Sequence, residues 1–163
     1  MTLPDVSKAV THFSTEARGD DNVPKSVVTA ALPGVYLQNI FNASIRESVF
    51  PSEWKKSLVL ALNKVSSPRT MGDMPPIALL AFLSKVLERL IHLQTTDYIE
   101  TTALLDPYQT GCREGDSTQT TLLKLTDDIR YGMDHKHVTL LLLFDFSKAF
   151  DTVCHVNLLK KLK

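Results

Sequence analysis

Cysteine is scarce in this sequence, and long apolar runs are missing. The 163 residues include two cysteines, Cys112 and Cys154, which are 42 positions apart and form no C-x-x-C pair. This usage indicates reduced thiols and excludes a disulfide framework. No apolar run approaches the roughly 20 residues that span a bilayer, and the N-terminus lacks the pattern of a secretory signal. The sequence therefore predicts a soluble intracellular protein, nuclear or cytoplasmic, with no membrane partner.

An excess of charge is missing as well. Eighteen Lys and Arg residues balance 18 Asp and Glu residues, so the formal net charge is zero. Zero net charge argues against binding of nucleic acid through the overall charge of the protein, but it does not exclude a local basic groove. With 44% hydrophobic residues the chain can build a core, and its length fits one domain or one domain and part of another.

Helical patterns dominate, and strand patterns are few and scattered, which is typical of the α+β class. Pro24 and Pro33 are expected to open two helices, the second with a buried stripe of Val35, Leu37, Ile40, Phe41 and Ile45. The predicted helices are residues 7–17 (capped by Asp5 or Ser7), 24–32, 33–48, 79–100, 117–132 and 155–162. The predicted strands are residues 57–64 and 138–144. Residues 18–22, 66–76 and 104–115 are expected to be irregular.

The most apolar segment of the chain ends in an acid. Val138 to Phe144 carry no charge and lead directly to Asp145, a pattern that predicts a strand buried on both faces. A carboxylate at the end of such a strand can be aimed at a metal ion or a substrate. The alternative is that Asp145 only caps the next turn, with help from Ser147.

Two enzyme classes with an acid after an apolar strand are excluded. A P-loop nucleotidase needs a G-x-x-x-x-G-K-[ST] loop, but none of the six glycines is followed by Lys-Ser or Lys-Thr. A phosphatase of the D-x-D type needs a second aspartate at position 147, where this chain has Ser147.

A longer stretch, FDFSKAFDTVCHVNLLKKL from residue 144 onward, closely resembles the first catalytic motif of reverse transcriptases from non-LTR retrotransposons, the LINE-type elements that include the Jockey-like elements of insects. Three other stretches resemble segments of the same family in the same order. They are IFNASIRESVFPSEWKKSLVLALNK (residues 40–64), PPIALLAFLSKVLERL (75–90) and QTGCREGDSTQTTLLKLTDDI (109–129).

The resemblance implies the N-terminal part of a reverse transcriptase fold, which is a right-hand polymerase. Residues 1–136 would form the fingers subdomain with its leading helices, and residues 137–163 would begin the palm. The implied activity is RNA-directed DNA polymerisation with an RNA template, a DNA primer and dNTPs. The resemblance implies no particular oligomeric state.

The resemblance also implies site residues. Asp145 would be the catalytic carboxylate and, with the backbone carbonyl of Phe146, a ligand of Mg²⁺ or alternatively Mn²⁺, since hard cations prefer oxygen ligands. Phe150 would lie beneath the incoming sugar and favour deoxynucleotides, unless it is an ordinary core residue. Lys64 would lie near the triphosphate, unless it is simply solvated.

Four further residues, Gln109, Arg113, Ser117 and Thr118, match the segment with which the family holds the template backbone or shapes the nucleotide pocket. Ser117 and Thr118 also fit an N-cap, and the two roles can coexist. Outside these segments, Trp54 fits an anchor between elements. The His135-x-His137 pair is not expected to bind a metal, because alternate loop residues rarely converge.

The sequence departs from the family pattern at several positions. Pro75 replaces an arginine expected to hold triphosphate oxygens, Cys112 replaces an aromatic residue, and Asp116 replaces a residue that is commonly histidine. The Asp-Asp hairpin of the palm is not found in these 163 residues, so we expect the isolated chain not to polymerise. The alternatives are a non-catalytic RNA-binding module and a decayed retrotransposon remnant.

Overall fold

A computed structural model describes residues 1–61, 76–146 and 149–162. The chain divides into two compact units, Met1–Leu105 (unit 1) and Asp106–Lys163 (unit 2). Along the described residues the elements are α1 (Leu3–His12), α2 (Lys25–Ala31), α3 (Gly34–Arg46), a 3-10 helix (Ser52–Lys55), β1 (Ser57–Ala61), β2 (Pro76–Leu80), α4 (Phe82–Thr101), α5 (Thr118–Asp134) and α6 (His155–Lys161).

The first helix begins and ends earlier than the sequence suggested. Thr2 is its N-cap, because the Thr2 hydroxyl accepts the Asp5 N–H at 3.4 Å and the Asp5 carboxylate accepts the Thr2 N–H at 2.7 Å. This reciprocal capping box satisfies two N–H groups that a helix start leaves free. The helix ends at His12, so the predicted continuation to residue 17 is wrong.

The two proline-led helices are confirmed, with Pro24 and Pro33 each at the N-cap position. Only part of the predicted buried stripe on α3 is confirmed, since Leu37 and Phe41 are buried. The other three members are 40–51% exposed: Val35, Ile40 and Ile45. The apolar face of α3 is therefore narrower than the periodicity indicated.

Strand β1 confirms the predicted strand that starts at Ser57, but strand β2 was missed. The sequence pattern predicts that its residues Leu79 and Leu80 begin the long helix, but this helix begins at Phe82. The two strands pair antiparallel, with Ser57 opposite Leu80 and Ala61 opposite Pro76. Pairing with β1 therefore decided the conformation of a leucine pair whose spacing also suits a helix.

Unit 1 encloses the hydrophobic core. Helix α1 packs against α3 and α4, and Trp54 of the 3-10 helix packs edge-on against Phe41 and Phe50, which confirms Trp54 as an anchor between elements. The core residues are Val6, Ala9, Val10, Val28, Leu37, Phe41, Phe82, Val86, Leu87 and Leu90.

Unit 2 contains α5 and α6, which confirm the helices predicted at residues 117–132 and 155–162. Gly132 is the single buried residue in the described part of this unit. Its carbonyl accepts the His137 N–H at 2.7 Å, and a methyl group there would lie 2.8 Å from the Thr139 hydroxyl. The chain thus folds back on the last turn of α5 without building a core.

The predicted strand at residues 138–144 is wrong for this chain. These residues have no regular secondary structure, and Val138, Leu143 and Phe144 are 82–99% exposed. A strand requires a hydrogen-bonded neighbour, and within the described ranges β1 and β2 pair only with each other. An apolar sequence alone therefore does not make this segment a buried strand.

Candidate functional site

Asp145, the predicted catalytic carboxylate, lies in unit 2 in the irregular segment that precedes α6. Its side chain is exposed. The expectation that a buried strand holds it rigidly is wrong here, since no strand forms. The alternative in which Asp145 caps a turn with Ser147 involves a residue outside the described part of the chain.

Both phenylalanines of the motif are also exposed. Phe146 is 76% exposed and Phe150 is 91% exposed. The interpretation of Phe150 as an ordinary core residue is therefore wrong in this structure. An aromatic ring so exposed is costly to leave in water.

Two residues that bear on nucleotide binding lie outside the described residues. They are Lys64, which the resemblance places near the triphosphate, and Pro75, which replaces the family arginine. Both belong to the connection between β1 and β2, and their roles stay predictions.

The predicted template-binding segment is the part of the site that the structure brings together. The Arg113 guanidinium donates to the Gln109 carbonyl at 3.4 Å, and Arg113 is half-buried. The hydroxyls of Thr110 and Thr121 lie 2.6 Å apart. These contacts tie the loop that contains Gln109 and Arg113 to the first turn of α5.

Ser117 is the N-cap of α5, as predicted. Its hydroxyl accepts the Thr120 N–H at 3.3 Å, and the Thr120 hydroxyl accepts the Ser117 N–H at 2.9 Å. The same Thr120 hydroxyl lies 3.3 Å from an Asp116 carboxylate oxygen. Thr118, the fourth predicted residue, begins the helix.

The structure explains one departure from the family pattern. An acid at Asp116 stands just before α5, where a negative charge is favoured by the helix dipole, and it accepts a hydrogen bond from Thr120. The roles of the threonines at 110, 120 and 121 were not predicted from the sequence. The S-x-x-T spacing of Ser117 and Thr120 resembles a capping box and could have identified one of them.

The described residues do not complete a metal site. No three His, Cys, Asp or Glu side chains among them come together to hold an ion. The rings of His135 and His137 are 6.1 Å apart, and a His135 ring nitrogen lies 2.8 Å from the Tyr131 carbonyl. Asp145 offers one hard oxygen ligand, whereas Mg²⁺ takes six.

Comparison with known proteins decides the family. The model of the family described as reverse transcriptase (RNA-dependent DNA polymerase) matches residues 55–163, about two thirds of the chain, including Asp145 and the segment from Gln109 to Thr118. The chain belongs to the reverse transcriptase family. Within the described residues, no helix is both long and apolar enough to cross a membrane.

Three proteins similar to this chain are polymerases of Drosophila melanogaster mobile elements. The chain is 36% identical over 149 residues to the "Probable RNA-directed DNA polymerase from transposon BS", covering 89% of this chain and 16% of that protein. It is 30% identical to the X-element polymerase, covering 98% and 18%, and 26% identical to the jockey polymerase, covering 100% and 18%. These relatives confirm the jockey-like character that the motifs indicated.

The chain thus spans less than a fifth of the length of the transposon reverse transcriptases that it matches. No solved structure matches it significantly.

Proposed function

We propose that this chain is part of an RNA-directed DNA polymerase of a mobile element, which copies an RNA template from a DNA primer with dNTPs. The F-D-F-S-K-A-F-D stretch around Asp145 carries the proposal, because it lies in the region that matches the family. The similarity to three transposon polymerases over 89–100% of the chain supports it.

Residues 1–136 form the fingers with their leading helices, and residues 137–163 begin the palm. The helices and the β1–β2 pair of unit 1 agree with a mostly helical fingers subdomain. In the complete polymerase, neighbouring strands of the palm pair with Val138 to Phe144, which are exposed and irregular in the isolated chain.

Asp145 and the backbone carbonyl of Phe146 contribute oxygen ligands to Mg²⁺, for which Mn²⁺ can substitute. When bound, such ions neutralise charge on the oxygens of the transferred phosphoryl group. An exposed carboxylate suits this role, since it can reach an ion without prior desolvation. Asp145 is one ligand of that site and does not form it alone.

Phe150 and Lys64 contact the nucleotide, and the loop before α5 contacts the template. The exposed ring of Phe150 excludes a 2′-hydroxyl and favours deoxynucleotides. Lys64 lies near the triphosphate. Arg113 and Gln109, linked by a hydrogen bond, together with Ser117 and Thr118 at the start of α5, hold the template backbone.

A chimeric polymerase tests this function. The segment of the jockey polymerase that aligns with 100% of this chain is replaced by these 163 residues, and dNTP incorporation is measured on primed RNA with Mg²⁺. We expect activity that Asp145→Ala lowers by at least about a thousandfold, a loss of ~4 kcal/mol in transition-state stabilisation. Asp127→Ala, which removes an exposed acid from α5, is the matched control and should leave the activity unchanged. An active Asp145→Ala chimera would refute the role of this carboxylate.

The 163 residues alone should incorporate no dNTP on the same primed RNA. They carry one of the three carboxylates that the family needs, and the described residues form no metal cluster. Magnesium-dependent incorporation that disappears in Asp145→Ala would contradict this expectation.

The segment from Gln109 to Thr121 supports a second candidate function, a non-catalytic RNA-binding module, because its hydrogen bonds are formed in this chain while the Asp145 segment is irregular. Such a module predicts salt-dependent RNA binding that weakens in Arg113→Ala. The matched control is Arg130→Ala on α5. RNA binding that does not depend on salt or on Arg113 would exclude this function.

A further inference from the structure

The link between α1 and α2 forms hydrogen bonds with side chains of α2 and α4. This link, Phe13–Asn22, is termed the strap. It has no helix or strand and contains one turn, at Asp20–Asp21. The strap belongs entirely to unit 1, and its hydrogen bonds reach residues up to 68 positions away in the sequence.

Side chains of α2 and α4 form hydrogen bonds with the first half of the strap. Lys25 Nζ donates to the Phe13 carbonyl at 2.5 Å, and Lys85 Nζ donates to the Ala17 carbonyl at 3.3 Å. The Glu16 carboxylate accepts the N–H and the hydroxyl of Ser26 at 3.1 and 3.0 Å. Charged partners make these bonds stronger than neutral ones.

The second half of the strap lies directly on the junction between β2 and α4. Gly19 is buried, and a methyl group added to it would lie 2.5 Å from the Ala81 nitrogen and 2.6 Å from the Leu80 carbonyl carbon. Both are backbone atoms, so they cannot move aside as a flexible side chain would. Only glycine allows the strap to approach this junction so closely.

The β1–β2 pair, here called the ribbon, is oriented by the residues at the start of β1 and the end of β2. All five residues of β1 and the first three of β2 are exposed, and only Leu79 and Leu80 are half-buried. No core supports most of the ribbon, so its direction is determined where the strands enter and leave unit 1. Trp54 packs near the entry to β1, and Gly19 packs at the exit from β2.

We propose that the strap is a positioning element that fixes the ribbon through the contact of Gly19 with the Leu80–Ala81 backbone. The strap thereby sets the direction of the two strands. In the proposed polymerase, on which this consequence rests, Lys64 follows closely after β1 in the sequence, so the direction of the ribbon affects how tightly the enzyme holds the incoming dNTP.

Amide hydrogen exchange on the 163-residue chain tests the positioning role without reference to catalysis. We expect Gly19→Ala to accelerate exchange of the ribbon amides by about tenfold or more, while amides of α1 and α3 exchange as before. Gly111→Ala is the matched control, since a methyl group there would meet no atom within 4 Å. Unchanged ribbon exchange, or an equal acceleration throughout unit 1, would overturn the proposal.

A gentler variant covers the case in which Gly19→Ala does not fold. Lys85→Met keeps the length and apolar stem of the side chain but removes its hydrogen bond to the Ala17 carbonyl. It should accelerate exchange of the ribbon amides in the same selective way, whereas Lys8→Met, at an exposed lysine of α1, should not. Equal behaviour of the two variants would contradict the proposal.

The chimeric polymerase then tests the consequence for the nucleotide. Gly19→Ala should raise KM for dNTP severalfold while leaving kcat and the affinity for primed RNA unchanged, a pattern that a general loss of stability would not give. An unchanged KM would refute this consequence. If the chimera with Gly19 is itself inactive, the proposed function fails, and hydrogen exchange still decides the role of the strap.

Discussion

Unit 1 and unit 2 are both rich in leucine, yet among the described residues the hydrophobic core lies in unit 1. Ten apolar side chains from four helices of unit 1 bury one another, whereas Gly132 is the one buried residue in the described part of unit 2. The difference lies in the partners that each apolar surface meets. An apolar face stabilises a fold only where another face covers it, and the leucines from 140 to 143 meet no such face here.

The sharpest test of this difference removes one large side chain from each unit. Phe41→Ala should lower the free energy of unfolding by about 3–5 kcal/mol, because it deletes a fully buried ring and leaves a cavity. Leu140→Ala, at a residue that is 79% exposed, should change it by less than about 0.5 kcal/mol. Denaturant unfolding followed by far-UV circular dichroism, which reports on the helices of both units, measures both. Equal effects would contradict the proposed contrast between the units.

A second test concerns self-association through the uncovered apolar segment. Leu143→Lys places a charge on a residue that is 85% exposed, so it should reduce self-association without loss of stability. Sedimentation velocity at rising protein concentration measures the effect. Gln94→Lys adds the same charge at an exposed polar position of α4 and should leave self-association as it is. If both variants behave alike, charge and not the apolar segment is responsible.

A third test asks how α5 is stabilised without a core. Ser117→Ala removes the N-cap hydroxyl and should cost α5 about 1 kcal/mol, seen as faster amide exchange along that helix only. Thr118→Ala, at the next position, is the control and should have little effect. Faster exchange in unit 1 after Ser117→Ala would show that the helix is more widely coupled than we propose.

The smallest expected effect is the pH dependence of the α1 cap. Hydrogen bonds from the Thr2 N–H and hydroxyl hold the pKa of Asp5 below its ordinary value of about 3.8. A depressed carboxylate pKa adds stability above the unfolded-state pKa, and this is lost as the pH falls through the lower, folded-state value. Asp5→Asn should therefore be less stable than the parent at neutral pH, and the difference should shrink below pH 3.8. Asp21→Asn is the control.

Helix starts and the family motifs could be predicted from the sequence. Pro24, Pro33 and Ser117 marked helix beginnings because their conformational preferences are local. Strand β2 could not be predicted, because the Leu79–Leu80 pair suits either element and its pairing with β1 is not local. The same reason explains why the strand predicted at residues 138–144 is wrong, since an apolar run forms a strand only where another strand pairs with it.

Of the candidate site, the sequence predicted the Ser117 cap and the neighbourhood of Arg113, both of which depend on residues a few positions apart. The sequence predicted Asp145 at the end of a buried strand, which this chain does not form, because a strand needs a hydrogen-bonded neighbour and the apolar run does not supply one. The close approach of Gly19 to Ala81 was likewise invisible, since no sequence pattern marks a glycine that lies on a distant backbone.

Whether residues 138–144 become the strand that aims Asp145 is measured most directly by amide hydrogen exchange in this segment, compared between the 163-residue chain and the chimeric polymerase. We predict fast exchange in the isolated chain, where the segment is exposed and irregular, and exchange slowed by about a hundredfold or more in the chimera, where neighbouring strands can pair with it. Equally fast exchange in both proteins would contradict the proposed palm strand and, with it, the proposed placement of Asp145.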